Sequence, residues 1–437
     1  MSATEQSQIM RLVPARRIDG RLRLPGDKSI SHRAALIAAL ASGRSEISNF
    51  STARDCASTL GCLRELGISI EDRDGKLFFS GGEQLITLSK PLDCGNSGST
   101  LRILTGVLAG HDLAAELVGD ESLSSRPMRR IIEPLELMGA KVQATDGKAP
   151  LKVRGSRKLS PITYKLPIAS AQVKSAILFA GLNAKGKTTV IEPWPTRDHT
   201  ERLFNGFGVP VTTKHLSVTV EGPARFNGGA ITIPGDISSA AYFVAAAMLL
   251  PESRLTIEAV GLNPTRTAFL SVLSSWGAEV STTDLQTARN EPYGTINVRG
   301  GVAGIAGENE RTLSRSMIPS LIDELPLLAV VGSQIEGGIH IRDAGELRLK
   351  ESDRLAATAL NLRAMGAEVE EFDDGLLVSG ATQLRGASID SHGDHRIAMA
   401  FAVAALIADG ETEIAGSECV AISFPEFFGL LKSLVIR

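Results

Sequence analysis

Charged residues stand directly before apolar segments in the second half of this sequence. Asp323 and Glu324 precede the apolar run 325–332, and charges of both signs crowd residues 346–355. Such a stretch is often no more than a solvated helix face. Carboxylates among cations that hold an anion are also what proton transfer beside a phosphate requires. These residues are therefore candidates for acid–base chemistry on an anionic substrate.

Cations also open an apolar segment near the N-terminus. A Pro-Gly turn signal precedes Asp27 and Ser29, and either residue can cap a helix. Lys28 and Arg33 then lead into an Ala/Leu/Ile run, so both lie at a helix N-terminus, where unpaired N–H groups and the helix dipole favour an anion. An ordinary capped helix with a solvated start would explain this segment alone.

Similar polar openings recur along the chain. They are a Gly-rich loop, an Arg cluster, a Ser-Ala-Gln-Val-Lys-Ser run and two further arginines, at residues 95–102, 119–130, 170–175, Arg197 and Arg396. We expect Pro127 early in a helix, and phosphate binding by the run at residues 170–175 through hydroxyl, amide and backbone groups. For His199, a surface or capping role is as well supported by the sequence as a functional one. Each opening alone is also explained by a turn. Their repetition predicts helix N-termini that converge on a strongly anionic substrate.

Two patterns must position these residues. In the first, a polar opening leads into an apolar helix that ends at a small residue, at residues 27–43, 95–110, 169–186, 235–253, 322–337 and 392–410. In the second, a helix ends at glycine before a strand. These glycines recur about every 70 residues, with a longer last interval, at Gly67, Gly139, Gly208, Gly277 and Gly366. Glycine suits such a helix end because it adopts the left-handed conformation readily.

Short β-type runs separate these helices, so each unit of about 70 residues reads strand–helix–strand–helix–strand. Six such units fill the chain, and the natural division is three per domain. Because residues 233–236 echo residues 24–27, we expect one domain at 24–234 and a second formed by 1–23 plus 235–437. The chain would then cross between domains twice, and a two-strand hinge suits closure over a ligand.

The totals exclude several classes of protein. The chain has 437 residues, of which 43% are apolar and 22% charged, and its net charge of −3 argues against nucleic acid or a membrane surface as partner. Its four cysteines form no CxxC pair, which indicates a reducing compartment. The first seven residues lack a signal-peptide pattern, and no apolar run reaches the roughly 18 residues of a membrane span. We expect a cytoplasmic protein.

Two apparent motifs are rejected. Residues 181–188 fit the Walker A letters, but an expected helix precedes them and a β-type run follows, which inverts the context of a phosphate-binding P-loop. His392 and His395 have a spacing that suits a metal, but no Cys or carboxylate set completes a site. We expect no metal.

Eight segments together resemble the 5-enolpyruvylshikimate-3-phosphate synthase (EPSP synthase) family and follow that family's order. They are Leu-Pro-Gly-Asp-Lys-Ser-Ile-Ser-His-Arg (24–33), Gly-Asn-Ser-Gly (95–98), Arg-Pro-Met (126–128), Ser-Ala-Gln-Val-Lys-Ser (170–175), Ile-Asp-Glu-Leu-Pro (322–326), Arg-Leu-Lys-Glu-Ser-Asp-Arg-Leu (348–355), Asp-His-Arg-Ile-Ala-Met (394–399) and Ser-Phe-Pro-Glu-Phe (423–427). The resemblance implies a two-domain inside-out α/β barrel, with three βαβαββ units per domain, helices inside and sheets outside.

The resemblance also implies a reaction of the shikimate pathway to chorismate and the aromatic amino acids. Shikimate 3-phosphate and phosphoenolpyruvate give 5-enolpyruvylshikimate 3-phosphate and phosphate, without a cofactor. Carried over, the contacts to shikimate 3-phosphate are Lys28, Ser29, Arg33, Ser170, Ala171, Gln172, Arg197, Asp323 and Lys350. Those to phosphoenolpyruvate are Lys28, Gly98, Arg126, Gln172, Arg354 and Arg396. Asp323 would accept the hydroxyl proton, and Glu351 would protonate the methylene, with Lys28 as a possible participant.

Some positions depart from the pattern of other family members. Ile422 stands where some members have lysine, and Asp27 and His32 replace residues of other branches. Gly98 matches a position at which an added methyl group blocks the herbicide glyphosate in tolerant forms. We therefore expect a glyphosate-sensitive enzyme.

Two alternatives remain beside this interpretation. UDP-N-acetylglucosamine enolpyruvyl transferase shares the fold and the donor, but that family places a reactive Cys just ahead of the Arg-Pro pair, and residues 119–126 contain none. A non-catalytic repeat scaffold that binds anions would not need a paired base and acid. Two large domains that close on their substrates favour a monomer.

Overall fold

Strands and helices alternate through the computed structural model, which describes residues 8–82, 85–301 and 311–437. The first seven residues, judged above to lack a signal peptide, lie outside the described part. The strands are β1 Ile9–Leu12, β2 Arg17–Arg23, β3 Gly43–Ser48, β4 Ser69–Arg73, β5 Lys76–Gly81, β6 Leu92–Asp93, β7 Ala114–Val118, β8 Lys141–Thr145, β9 Lys148–Arg154, β10 Thr163–Lys165, β11 Gly186–Ile191, β12 Val211–Lys214, β13 Ser217–Gly222, β14 Ala230–Thr232, β15 Arg254–Gly261, β16 Val280–Ala288, β17 Glu291–Arg299, β18 Thr312–Leu313, β19 Ile339–Ile341, β20 Val369–Phe372, β21 Gly375–Val378, β22 Ser388–Asp390, β23 Thr412–Ala415 and β24 Val435–Ile436.

Several helices begin at or directly after polar residues that the sequence analysis singles out. The helices are α1 Lys28–Leu40, α2 Arg54–Glu65, α3 Gly98–Ala109, α4 Glu121–Ser125, α5 Arg129–Leu137, α6 Ala171–Gly181, α7 His199–Gly206, α8 Ile237–Leu249, α9 Ala268–Ser275, α10 Ile318–Leu321, α11 Leu325–Gly332, α12 Arg354–Ala364, α13 His395–Ile407 and α14 Phe427–Leu434, with 3-10 turns at Arg315–Met317, Gly345–Leu349 and Ser417–Ile422.

The chain divides into two units. The N-terminal unit comprises Pro25–Pro234 and Thr287–Pro292. The C-terminal unit comprises the described residues up to Leu24, Gly235–Gln286 and the described part of Tyr293–Arg437. This division differs from the predicted one in two places, since Leu24 groups with the C-terminal unit and residues 287–292 group with the N-terminal unit. The turn of the β16–β17 hairpin gave no sequence signal for that placement.

The N-terminal unit contains three sheets with one strand order. They are β6-β7-β9-β8, β10-β11-β13-β12 and β14-β3-β5-β4, each with a parallel first pair. The third sheet takes its first strand from the far end of the segment, because β14 pairs with β3. Helices α1, α3 and α6 are buried beneath these sheets. A methyl group at Gly106 would lie 2.2 Å from the Ala176 carbonyl oxygen, so α3 and α6 approach too closely for a side chain there.

The C-terminal unit repeats the arrangement. Its sheets are β16-β17-β15-β2-β24, β18-β19-β21-β20 and β1-β23-β22, and its buried helices are α8, α11 and α13. The last repeat is completed by β1 from the start of the chain, which pairs with β23. The predicted α/β fold of six repeats with buried apolar helices is confirmed, with the addition that distant strands complete the first and the last repeat.

The glycine helix ends are confirmed as well. The five glycines have φ angles between +83° and +104°, and each lies two residues beyond the last residue of a helix. Only glycine adopts this conformation without strain, so the repeat visible in the sequence marks the ends of α2, α5, α7, α9 and α12.

Candidate active site

Helix α1 begins with a capped polar turn. The Asp27 carboxylate accepts the N–H of Ile30 at 2.9 Å, so Asp27, rather than Ser29, caps the helix. The ammonium of Lys28 lies 2.8 Å from the carboxylate of Asp55, in the first turn of α2. This ion pair orients the first predicted cation, and no motif in the sequence pointed to Asp55.

Arg33, in the second turn of α1, is held by neutral oxygens. Its Nε donates to the Thr200 hydroxyl at 2.7 Å, Nη2 donates to the Ser175 hydroxyl at 2.8 Å and Nη1 donates to the Ser29 carbonyl at 2.9 Å. Only 3% of the residue is exposed. Burial lowers the pKa of Arg33 to about 10, against an opposing effect of the Glu201 carboxylate. Arg33 is therefore a buried cation fixed by neutral acceptors.

Arg126 has a similar setting near the start of α3. Its Nη2 donates to the Asn96 side-chain oxygen at 2.8 Å and to the Ser122 hydroxyl at 3.1 Å. The prediction for Pro127 is wrong, because residues 126–128 form the connection between α4 and α5. The short helix α4, capped by Asp120, was not expected.

Gly98 is the first residue of α3. Its helix is capped by Ser97, whose hydroxyl accepts the N–H of Thr100 at 3.1 Å. A methyl group at Gly98 would lie 2.7 Å from Nη1 of Arg102 and 3.4 Å from Nη1 of Arg126. Gly98 therefore keeps space beside two guanidinium groups.

Ser170, Ala171 and Gln172 open α6, where the Ser170 hydroxyl accepts the N–H of Val173 at 3.4 Å. The Gln172 side chain accepts from Arg102 at 2.7 Å and donates to Ser99 at 2.9 Å. Arg102 thus joins the starts of α3 and α6, and sequence reasoning had placed it in a motif without assigning it a role.

Lys174 does not face a ligand. It is 1% exposed, and its ammonium lies 2.9 Å from Glu192 and 2.7 Å from Glu201. Burial alone would lower the pKa of Lys174, but the two carboxylates raise it. Within the run expected to bind phosphate, the ammonium of Lys174 is therefore engaged by these two carboxylates. Only the pattern of a lysine inside an apolar helix face could have signalled its burial.

Arg197 lies half-buried between β11 and α7. Two residues later, His199 begins α7 and is buried, with Nδ1 at 2.7 Å from the Glu291 carboxylate. Because His199 is buried, a surface role is wrong. His199 is the first residue of α7, but its imidazole contacts a carboxylate and does not cap the helix.

In the C-terminal unit, two arginines surround Asp323. Arg354 Nη1 lies 3.5 Å from Asp323 Oδ1, and Arg396 Nη2 lies 3.4 Å from Oδ2. Arg396 also donates to the Asp323 carbonyl at 2.9 Å. The Asp323 carboxylate is therefore oriented from both sides.

Glu351 and Lys350 lie beside the start of α12. Glu351 accepts from Arg354 at 2.6 Å, and Lys350 lies 3.2 Å from Glu346. Arg354 itself is 1% exposed, so this part of the mixed-charge stretch is no solvated face. Asp323 and Glu351 share one guanidinium partner.

Asp394, which the sequence analysis mentions only within the 394–399 segment, links helix α13 to Arg354. It caps α13 by accepting the N–H of Arg396 at 2.9 Å, and it accepts Nε of Arg354 at 2.7 Å. Although burial alone would raise the pKa of Asp394, the Arg354 charge leaves it lowered. Carboxylates likewise raise the pKa of Arg354 and of Arg396 above the usual range, against the effect of burial.

The structure explains the rejected Walker A match and the residue at position 422, which departs from the family pattern. Helix α6 ends at Gly181 and strand β11 follows, so the inverted Walker A context is confirmed. Ile422 packs against the core of the C-terminal unit. In the neighbouring motif, Phe424 and Phe427 pack on Phe243 with ring centroids 6.0 and 5.7 Å apart, which makes this motif structural.

Within residues 8–82, 85–301 and 311–437, no group of three or more His, Cys, Asp or Glu side chains is arranged to hold a metal ion. In the same residues, no helix has both the length and the apolar character that crossing a membrane requires.

Comparisons with known proteins agree with each other. The family model described as EPSP synthase (3-phosphoshikimate 1-carboxyvinyltransferase) matches residues 12–431. The chain is 52% identical over 430 residues to the 3-phosphoshikimate 1-carboxyvinyltransferase of Koribacter versatilis, covering 98% of this chain and 99% of that protein. The Solibacter usitatus protein of the same name is 47% identical, with 97% and 99% covered. The EPSP synthase structure from Acinetobacter baumannii superposes with a TM-score of 0.86 at 38% identity, covering 99% of both chains.

Proposed function

The chain belongs to the EPSP synthase family, the 3-phosphoshikimate 1-carboxyvinyltransferases, and we propose how its residues divide the reaction. The 5-hydroxyl oxygen of shikimate 3-phosphate attacks C2 of phosphoenolpyruvate while C3 gains a proton. The tetrahedral intermediate then loses phosphate and a proton from C3, which leaves the enolpyruvyl ether. The reaction belongs to the shikimate pathway of aromatic amino acid biosynthesis.

Binding falls to the cations and capped helix starts. For shikimate 3-phosphate we propose Lys28, Ser29, Arg33, Ser170, Ala171, Gln172, Arg197, Asp323 and Lys350. For phosphoenolpyruvate we propose Lys28, Gly98, Arg126, Gln172, Arg354 and Arg396. Both substrates carry a phosphate and a carboxylate, and guanidinium groups and helix N-termini are suited to both anions.

Proton transfer falls to the carboxylates of the C-terminal unit. Asp323 accepts the hydroxyl proton and Glu351 delivers a proton to the methylene carbon, with Lys28 as the alternative donor. The observation that carries this assignment is the shared partner of the two carboxylates, since Arg354 lies 3.5 Å from Asp323 and 2.6 Å from Glu351. One rigid guanidinium thereby orients both groups.

The test is phosphate release from phosphoenolpyruvate in the presence of shikimate 3-phosphate, with UDP-N-acetylglucosamine as the control acceptor. We expect release with shikimate 3-phosphate only, from a monomer, without added metal or cofactor. Release with the sugar nucleotide instead would contradict the proposed acceptor. A dimer in sedimentation would contradict the monomer. Fractionation of the source cells tests the cytoplasmic location that we also propose.

A further inference from the structure

The turn of the β16–β17 hairpin contacts helix α7 along its length. At the start of α7, the buried Glu291 carboxylate lies 2.7 Å from His199 Nδ1. In the middle, Arg202 donates to the Asn290 carbonyl at 3.0 Å. At the end, Arg289 donates to the Gly206 carbonyl at 2.8 Å and lies over the ring of Phe207 at 4.8 Å. Three consecutive residues, about 90 positions downstream, therefore fix this short helix.

The helix start that Glu291 holds also holds Arg33. Thr200 follows His199 directly, and its hydroxyl accepts Nε of Arg33 at 2.7 Å and lies 2.7 Å from the Ser175 hydroxyl. Arg197 lies two residues before His199. A shift at His199 would therefore move one partner of Arg33 and the backbone that carries Arg197.

We propose that Glu291 is a positioning residue for the binding of the phosphorylated acceptor. Through His199 it fixes the start of α7, and through Thr200 it sets the direction of the Arg33 guanidinium toward the anionic groups of the acceptor. This inference rests on the proposed function. Glu291 touches no substrate in this scheme. The contacts through His199 and Thr200 reach Arg33, which is proposed for the acceptor alone, whereas Arg126 and Gly98 lie on other elements.

The test is steady-state kinetics of Glu291→Ala with each substrate varied in turn. We expect the KM for shikimate 3-phosphate to rise about tenfold, and the KM for phosphoenolpyruvate to stay within about twofold of the parent value. Glu291→Gln keeps the shape and an acceptor for His199, so it should restore the KM to within about threefold. Tyr293→Phe is the control, since it removes the exposed hydrogen bond to Gln286 in the same hairpin and should change neither KM.

A double-mutant cycle separates positioning from general loosening. If Glu291 acts through Thr200, the Glu291→Ala change should raise the KM less than about twofold in a Thr200→Val background. Fully additive effects, or an unchanged KM in Glu291→Ala, would overturn the inference. Should Glu291→Ala not fold, the half-buried Arg289→Ala replaces it, with an expected rise of about threefold and an unchanged KM as the contrary result.

The parent enzyme distinguishes the two levels of the proposal. No phosphate release by the parent contradicts the proposed function and this inference with it. Turnover by the parent, together with an unaltered KM in the variants, contradicts the inference alone.

Discussion

Each unit contains a buried arginine, Arg33 in the N-terminal unit and Arg354 in the C-terminal unit, and the two have opposite kinds of partners. In the N-terminal unit, Arg33 donates its three hydrogen bonds to two hydroxyls and a carbonyl. In the C-terminal unit, Arg354 lies against the carboxylates of Asp323, Glu351 and Asp394. The pKa values follow, because burial lowers that of Arg33 to about 10, while carboxylates raise that of Arg354.

The difference indicates that arginine has a different function in each unit. A buried guanidinium with neutral partners keeps its charge for a ligand, and a phosphate is the partner that best compensates it. A guanidinium surrounded by carboxylates has much of its charge compensated, so Arg354 orients those carboxylates in addition to the phosphoenolpyruvate contact proposed for it. Substitutions of Arg33 and its partners Ser175 and Thr200, here called the N-terminal cluster, should therefore change KM. Substitutions around Asp323 should change kcat.

The largest effect is expected for Asp323→Asn. The amide has nearly the same shape but cannot accept the hydroxyl proton, so kcat should fall about 1,000-fold, within the range that a general base contributes. The KM for shikimate 3-phosphate should change much less. Rapid-quench kinetics at saturating substrates would measure this. A kcat within tenfold of the parent value would show that Asp323 is not the base. It would also contradict the expectation that substitutions around Asp323 act on kcat.

The main expected effect of Asp394→Asn is on the free energy of unfolding rather than on kcat. The substitution removes the fully buried carboxylate that accepts Nε of Arg354 at 2.7 Å, and breaking a buried pair of this kind costs about 3–5 kcal/mol. Because the pKa of Asp394 is lowered in the folded protein, its stabilisation is present above the unfolded value near pH 4 and is lost as the pH falls through the folded value. Urea unfolding of parent and variant between pH 7 and pH 3 should show the difference shrinking.

The exposed Glu370→Gln, on β20 of the same unit, is the control for that titration. It should follow the parent protein at every pH. A constant difference between parent and Asp394→Asn down to pH 3 would contradict the assigned pKa shift.

In the N-terminal cluster, Arg33→Met should raise the KM for shikimate 3-phosphate about 10- to 100-fold, the loss expected for a charge-assisted hydrogen bond to phosphate. The kcat at saturation should fall less than the affinity. The exposed Arg225→Met, in the same unit, controls for the loss of one positive charge. A lower kcat with an unaltered KM would show that Arg33 resembles Arg354, and the contrast between the units would fail.

Much of the fold could be predicted because its repeats carry local signals. Glycine at a left-handed helix end and apolar helices with capped starts are short-range features, and both were found where the sequence placed them. The exchange of strands was not predictable in this way. The pairing of β14 with β3 and of β1 with β23 depends on contacts between distant segments, to which periodicity gives no access.

The candidate site was predicted less completely than the fold. Helix starts identified Lys28, Arg33 and Arg396 because capping and charge are visible in sequence. Asp55 and Glu291 carried no signal, since each acts on a partner far away in the chain. The burial of Lys174 could not be predicted either. A lysine near a helix start looks accessible in the sequence, and its two buried carboxylate partners lie at distant positions in the chain.

The smallest effect, and the finest test of the phosphoenolpyruvate side, concerns Gly98→Ala. The added methyl group would lie 2.7 Å from the end of the Arg102 side chain, which is long enough to move aside, so the protein should fold normally. The displaced guanidinium should raise the KM for phosphoenolpyruvate about threefold, and it should raise the inhibition constant of glyphosate about tenfold.

The parent enzyme should be inhibited by millimolar glyphosate at low phosphoenolpyruvate. Gly61→Ala, on α2 with open space around the added methyl group, is the matched control. A parent rate unaffected by glyphosate would contradict the expected sensitivity. An unchanged KM for phosphoenolpyruvate in Gly98→Ala would contradict the proposed place of Gly98 beside the donor.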